Sequence, residues 1–302
     1  MAKVLISGGT GSIGTLMAEF LYRQGHEVGL LSRSKRNDGN FKSYQWNIKE
    51  NYLDPEALQS CEYIIHLAGA GIADKKWTAE RKKEIIESRV SSTDLLYNKV
   101  KEHKTALKAF ISASAVGYYG QVTVDQIFTE KDKSANDFVG KTCFLWEQSA
   151  ERFEELGIRT VRLRIGVVLM EQGGALEKIA QPIRMGAGAP LGSGKQFIPW
   201  VHVDDLISIF YKALTDSNMS GAYNTVAPKP VSNAEFTQVL AQVLNKKLWL
   251  PNVPGFVLKI VLGERASLVL EGSRISSRKI EGTGFEFQYA SLQPALKNLL
   301  AG

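Results

Sequence analysis

An α/β chain built on a doubly wound parallel sheet, with a smaller mixed and mostly helical C-terminal lobe, is the fold that three features of the sequence predict. Strand-like and helix-like apolar patterns alternate through the first half. A glycine cluster stands between the first strand pattern and the first helix pattern. After about Leu169 the alternation gives way to a glycine- and proline-rich stretch and then to helical patterns. Such alternation implies parallel strands crossed over by helices on both faces of the sheet. At 302 residues and 44% apolar content, the chain can bury a large core, as one large domain or two modest ones.

The elements follow in order. Residues 4–6 form a β-branched and aliphatic run, and residues 15–24 place Leu16, Met17, Phe20 and Leu21 on one helical face before Gly25 stops the helix. Strands are expected at residues 27–31, 44–47 and 63–67, a long helix at 79–102 and a further strand at 109–112. A helix at 142–156 carries Cys143, Trp146, Ala150 and Phe153 on one face, and residues 160–168 are again strand-like. Residues 173–200 read as too irregular for regular sheet. Ser232, followed three residues later by Glu235, is a capping-box signature ahead of an amphipathic run. These readings divide the chain into a first domain at 1–169, rejoined by part of 196–226, and a second lobe at 170–302. The second lobe ends in a small domain at about 250–298.

The glycine cluster Gly8-Gly9-Thr10-Gly11-Ser12-Ile13-Gly14 lies where a dinucleotide needs it. Gly8 permits the tight turn, Gly11 lets the backbone approach a pyrophosphate, and Gly14 allows close packing of helix on strand. The helix N-terminus at Thr10, Ser12 and Ile13 then presents free N–H groups and a partial positive charge to the phosphates. This makes the first unit a Rossmann-type βαβ, with the spacing GxxGxxG. At the end of the second strand, an NAD site would place an acidic residue to bind the ribose 2′-OH. Here Ser32 and Arg33 stand instead, and an Arg accommodates a 2′-phosphate, so the cofactor expected is NADP(H). Lys35 and Arg36 read as a solvated basic loop.

Several separated blocks carry a family resemblance. Together with the glycine cluster, His66-Leu67-Ala68-Gly69, the run from Ser112 to Gly120 and the run from Trp200 to Leu206 resemble the extended short-chain dehydrogenase/reductase superfamily. More narrowly, residues 72–77, Arg164 to Leu169, the stretch from Gly188 to Leu206 and the ending around residues 263–272 look like its atypical epimerase-family subgroup. Members of that subgroup resemble bacterial YfcH and carry a small C-terminal domain of unassigned function. The resemblance implies NADP on the glycine loop, with further cofactor contacts at Leu67, Ala68, Gly69 and Val168, and a substrate cleft under the C-terminal lobe.

In the superfamily a Ser or Thr polarises the substrate oxygen, a Tyr in YxxxK transfers the proton, the Lys lowers the Tyr pKa, and an Asn completes a relay. Ser114 matches the serine. The Asn position falls on Arg89, the Tyr position on Val139 and the Lys position on Cys143, so three of the four relay members are missing. Lys141 is two residues from the Lys position, about 200° round a helix, and faces elsewhere. Tyr118 and Tyr119 follow Ser114 closely and offer a phenol, without an evident cation partner in sequence. Arg89 cannot relay a proton but can clamp a phosphate or carboxylate, and Glu84, five residues before it, borders the same nicotinamide or ribose. The expectation is therefore an NADP(H)-dependent oxidoreductase or epimerase-like enzyme with a degenerate tetrad. The alternative is a non-catalytic NADPH-binding sensor.

Composition excludes other classes. The net charge of +6 comes from scattered Lys and Arg with no long basic tract, which argues against a nucleic-acid partner and suits a small anionic substrate. Cys61 and Cys143 read as buried small hydrophobes, consistent with a reducing compartment. No signal peptide is seen, and no apolar run reaches the roughly 18 residues of a membrane span. A cytoplasmic protein with no membrane partner is expected. His202 and the following Asp204 and Asp205 read as a structural block in which an Asp caps the next helix, and the histidines have no metal-ligand spacing.

Overall fold

The computed structural model describes residues 1–34 and 41–300, so Lys35 and Arg36 lie outside the described residues. The nucleotide-binding half runs β1 (Lys3–Ser7), α1 (Ser12–Arg23), β2 (Glu27–Ser32), β3 (Lys42–Asn47), β4 (Tyr52–Leu53), β5 (Cys61–His66), α2 (Ala79–Glu102) and β6 (Ala109–Ala115). It continues through β7 (Ile127–Phe128), α3 (Phe138–Glu151), β8 (Arg159–Ile165) and β9 (Val167–Leu169). The second half runs α4 (Gly174–Arg184), β10 (Trp200–His202), α5 (Val203–Thr215), β11 (Gly221–Thr225) and α6 (Asn233–Val243). It closes with α7 (Gly255–Leu262), α8 (Ser267–Leu270), β12 (Arg274–Ile275), α9 (Arg278–Glu281) and α10 (Leu292–Leu300).

Eight strands form one sheet in the order β11-β8-β6-β5-β1-β2-β3-β4. Every pairing in it is parallel except β3 with β4. Strand order reverses between β1 and β5, and such a switch point opens a crevice beyond the carboxyl ends of the strands. The sheet is buried on both faces. Val4 and Ile6 pack with Met17, Ala18 and Leu21 of α1, while Leu5 packs on the other face with Leu95 and Leu96 of α2. That two-sided burial is why β1 is an unbroken apolar run, not an alternating one. On α1 the buried face is Met17, Ala18 and Leu21; Leu16, expected on it, is 38% exposed.

Two boundaries differ from expectation for identifiable reasons. The helix expected at 142–156 begins at Phe138, because the Asp137 carboxylate accepts from the Gly140 N–H (2.7 Å) as a cap. It tightens to a 3₁₀ turn over Arg152–Leu156 before the left-handed Gly157. The strand expected at 160–168 is two strands divided at Gly166, where a Cβ would meet the Pro199 carbonyl at 2.5 Å; beyond it β9 leaves the main sheet and pairs with β10. The stretch 173–200 also holds an unanticipated helix, α4, which Gly173, Gly174 and Pro182 disguise while Leu176, Ala180 and Ile183 bury one face.

The second lobe is tied back to the first. β11 extends the main sheet beside β8, and β12 pairs with β7. Ser232 caps α6 by accepting from the Glu235 N–H (3.2 Å). The cap of α5 is His202, not an Asp: its Nδ1 accepts from the Asp204 N–H (3.1 Å). Asp205 instead accepts the Gln288 and Tyr289 N–H groups (2.8 and 3.0 Å), anchoring the C-terminal segment. Both cysteines are free and buried. Among the described residues, no helix is long and apolar enough to cross a membrane, and no group of His, Cys, Asp and Glu is disposed to hold a metal.

Candidate functional site

The glycine loop sits at the switch point, between the end of β1 and the start of α1. Gly8 has φ +71°, a conformation open to glycine, and a Cβ there would lie 2.9 Å from the Ala68 nitrogen and the Leu67 carbonyl carbon. The loop therefore presses directly on the Leu67–Ala68 turn that follows β5. Gly14 is as constrained, since its Cβ would fall 2.2 Å from the Gly8 oxygen. Thr10, Gly11 and Ser12 are exposed, Ile13 is half-buried, and no side chain caps α1 nor does an acidic residue stand in its first turn. α2, α3, α5 and α6 each have a side-chain cap. An uncapped helix N-terminus facing a crevice suits a pyrophosphate. At the end of β2, Ser32 is buried and Arg33 exposed.

A buried histidine holds this floor together. The Ser7 hydroxyl lies 2.6 Å from His66 Nδ1, and Ser92 and Thr93 hydroxyls lie 3.1 Å from Nε2. Both of those hydroxyls have backbone acceptors on α2, so His66 carries its proton on Nε2 and accepts from Ser7, whose oxygen faces the Ala68 N–H (3.4 Å). Burial pushes the His66 pKa down to about 3. In the unfolded chain the imidazole takes a proton below its ordinary 6.5, while the folded chain resists until about 3, so stability is full above pH 6.5 and falls through that window. Urea denaturation at decreasing pH should show a loss of about 1.4 kcal/mol per pH unit below 6.5 from this group, and a shallower slope in His66→Gln.

Ser114 ends up in a buried network. Its hydroxyl donates to Glu147 (2.7 Å), and Glu147 is paired with Arg164 through two contacts of 2.8 Å. Arg164 also donates to the Tyr119 hydroxyl (2.9 Å), which donates to the Asn224 side chain (2.6 Å). The Arg164 guanidinium lies 3.5 Å from the Tyr118 ring centroid. Burial pushes the Tyr119 phenol up to about 12 despite Arg164. Thus the cation partner that neither tyrosine shows in sequence is supplied by β8. Val139 and Cys143, at the Tyr and Lys positions, are closed in by packing: a Cβ on Gly117 would meet Val139 at 2.4 Å and the Cys143 sulfur at 3.7 Å. Burial pushes the Cys143 thiol up to about 12, with Glu147 adding to the effect.

The remaining predicted residues spread along the crevice. Arg89 donates to the Ala70 and Ile85 carbonyls (3.0 and 2.9 Å), packs over Trp146 and lies beside Gly69, where a Cβ would be 3.1 Å from its guanidinium carbon. The Glu84 carboxylate is at the surface, 2.6 Å from Arg81, whose other nitrogen donates to the Gly71 carbonyl. Val168 lies in β9, ahead of the turn at Gly173 that approaches the Ser12 hydroxyl. Glu264 and Arg265 reach across to Lys82 and to the Ala73 carbonyl, joining the C-terminal lobe to the rim. Glu147, Arg164, Asn224 and the His66 clamp are the residues that sequence reasoning missed. The signal available was the sequence of β8, in which Arg162 and Arg164 alternate with Val161, Leu163 and Ile165, so that charged side chains enter a strand buried along most of its length.

Comparison with known proteins agrees with this architecture. Residues 4–226 match the model of the NAD dependent epimerase/dehydratase family, and residues 253–299 match a domain of unknown function, DUF1731. The chain is 36% identical over 302 residues to the epimerase family protein YfhF of Bacillus subtilis, covering 99% of this chain and 98% of that one. It is 36% identical over 303 residues to the mouse epimerase family protein SDR39U1, covering 99% and 100%. A crystal structure of human SDR39U1 with NADPH superposes with a TM-score of 0.88 at 33% identity, covering 99% of each chain. The Rossmann-type sheet and the resemblance to epimerase-family proteins with a small C-terminal domain are thereby borne out. With a glycine cradle at the switch point and a match spanning β1 to the residue after β11, the chain belongs to the NAD dependent epimerase/dehydratase family.

Proposed function

We propose that the chain is an NADP(H)-dependent oxidoreductase or epimerase-like enzyme of the YfcH-like subgroup, cytoplasmic, acting on a small substrate with an anionic group. The observation that carries the reading is the cradle itself: glycines at 8 and 14 that tolerate no Cβ, opening onto an uncapped helix, with Arg33 and no carboxylate at the end of β2. The pyrophosphate would lie on the N–H groups of Gly11 to Gly14, the 2′-phosphate against Ser32 and Arg33, and the nicotinamide half toward Leu67, Ala68, Gly69, Arg89 and Val168. NADP(H) supplies hydride chemistry when bound; the chain must move a proton at the substrate oxygen. Tyr118, half-buried and stacked on Arg164, is better suited to this than Tyr119, whose hydroxyl is committed to Asn224.

A second reading, an NADPH-binding sensor without turnover, is favoured by one contact. The proton of Ser114 is given to Glu147, so this hydroxyl can accept from a substrate but donates to one only by releasing the carboxylate. Arg33→Ala should weaken NADPH about ten- to hundredfold in a fluorescence titration and leave NADH nearly unchanged, the loss of a charge-assisted contact to phosphate. Equal losses for both nucleotides would remove the 2′-phosphate assignment. Turnover of NADPH on a panel of carbonyl compounds and nucleotide sugars, lost in Tyr118→Phe with binding intact, decides for the enzyme; no turnover with any compound decides for the sensor.

A further inference from the structure

The segment that opens the C-terminal domain is an unpartnered apolar surface. Trp249, Phe256, Ile260 and Val261 are between 63% and 79% exposed, and α7, whose sequence is apolar apart from Lys259, buries none of its residues. A helix apolar on all sides belongs in a core or a lipid phase, not in water. Phe256, Lys259 and Ile260 stand at i, i+3 and i+4 and so share one side of the helix. Trp249 donates its ring N–H to the Gly186 carbonyl (2.9 Å), which sets it beside Met185, itself 76% exposed. Val253 fixes the middle of the segment through hydrogen bonds with Pro190 and Gly192 (2.9 Å each), so the exposed side chains are carried on an anchored element.

Within the segment the charge is one-sided, and the first carboxylate beyond it, Glu264, is paired with Lys82. Residues 244–263 contain three lysines, Lys246, Lys247 and Lys259, and no Asp or Glu, and all three lysines are exposed. A two-fold dimer through this face would set the same lysines toward one another, since such an interface pairs a patch with itself. A negatively charged lipid surface meets both halves of the chemistry: apolar side chains enter the acyl boundary while lysines remain among the headgroups. We propose that residues 246–262 form a peripheral docking surface for an anionic lipid bilayer. Among the described residues no helix is long and apolar enough to cross a membrane, and such contact needs no span.

The test is co-sedimentation of the full chain with vesicles of phosphatidylcholine alone and of phosphatidylcholine with phosphatidylglycerol, with Trp249 emission followed and the oligomeric state measured by light scattering. The expected result is binding to the anionic vesicles and not the neutral ones, with a blue shift of tryptophan emission and weakening at high salt. Phe256→Glu with Ile260→Glu should lower the partition coefficient more than tenfold. Lys246→Ala, Lys247→Ala and Lys259→Ala together should lower it about a hundredfold. All five positions are exposed, and unchanged NADPH titration and thermal melting show that the variants fold. Equal binding to both vesicle types, binding to neither, or a dimer abolished by the glutamate substitutions in the absence of vesicle binding overturns the proposal.

Discussion

Arg164→Met is expected to destabilise the chain by about 3–5 kcal/mol, the cost of stranding a buried charge. The side chains of Arg164 and Glu147 are 4% and 5% exposed, and Arg164 supplies both of the guanidinium contacts to the carboxylate. With Arg164 gone, Glu147 keeps the Ser114 hydroxyl as its polar neighbour, and one hydroxyl does not offset the desolvation of a full negative charge. Tyr119 also loses the donor to its oxygen. The urea midpoint should fall with little change in slope. A double variant, Arg164→Met with Glu147→Met, should recover most of the loss, because an apolar pair of similar volume carries no unpaired charge. A loss below about 1 kcal/mol for the single change, the range of an exposed ion pair, would mean that the pair is hydrated.

This network marks where the sequence stops being legible. Main-sheet strands buried on both faces and helices with a local cap announce themselves, because each signal is contained within a few residues. Ser232 and Glu235, or the alternation in residues 1–112, are of this kind. The Ser114–Glu147–Arg164–Tyr119–Asn224 chain joins β6, α3, β8, the turn after β6 and β11, and no local pattern links positions 17 to 105 residues apart. The same holds for His202, which reads as a polar residue next to two aspartates and becomes a cap only because Asn298 and Tyr289, from the far end of the chain, fix its ring. Gly166 and the helix α4 mislead in opposite directions: the strand-like run 160–168 passes over a glycine that in fact divides it into two strands, whereas the glycines and Pro182 of α4 read as local breakers although the buried face of Leu176, Ala180 and Ile183 overrides them. The phosphate cradle was legible because backbone geometry and the residue type it requires lie within seven consecutive positions.

Gly14→Ala is expected to weaken NADPH and NADH alike by about a hundredfold or more, the cost of moving a positioning element by about an ångström. The added Cβ would lie 2.2 Å from the Gly8 oxygen, 2.6 Å from the Gly9 Cα and 2.9 Å from the Gly8 carbonyl carbon. All three are backbone atoms, so no side chain can swing aside and either the loop or α1 must shift. α1 is held by Met17, Ala18 and Leu21 in the core, so the loop yields first, and with it the N–H groups that would face the pyrophosphate. Overpacking should also cost about 1–3 kcal/mol of stability. Gly25→Ala is the control, since Gly25 has φ +82° but nothing within 4 Å of a Cβ; it should strain its turn by about 1 kcal/mol and leave nucleotide affinity unchanged. The pattern separates two contacts on one ligand: Arg33→Ala discriminates between the nucleotides and Gly14→Ala does not, because the pyrophosphate is common to both and the 2′-phosphate is not. If Gly14→Ala binds NADPH as tightly as the parent chain, the phosphates do not rest on this loop, and the selectivity of Arg33→Ala should disappear with it.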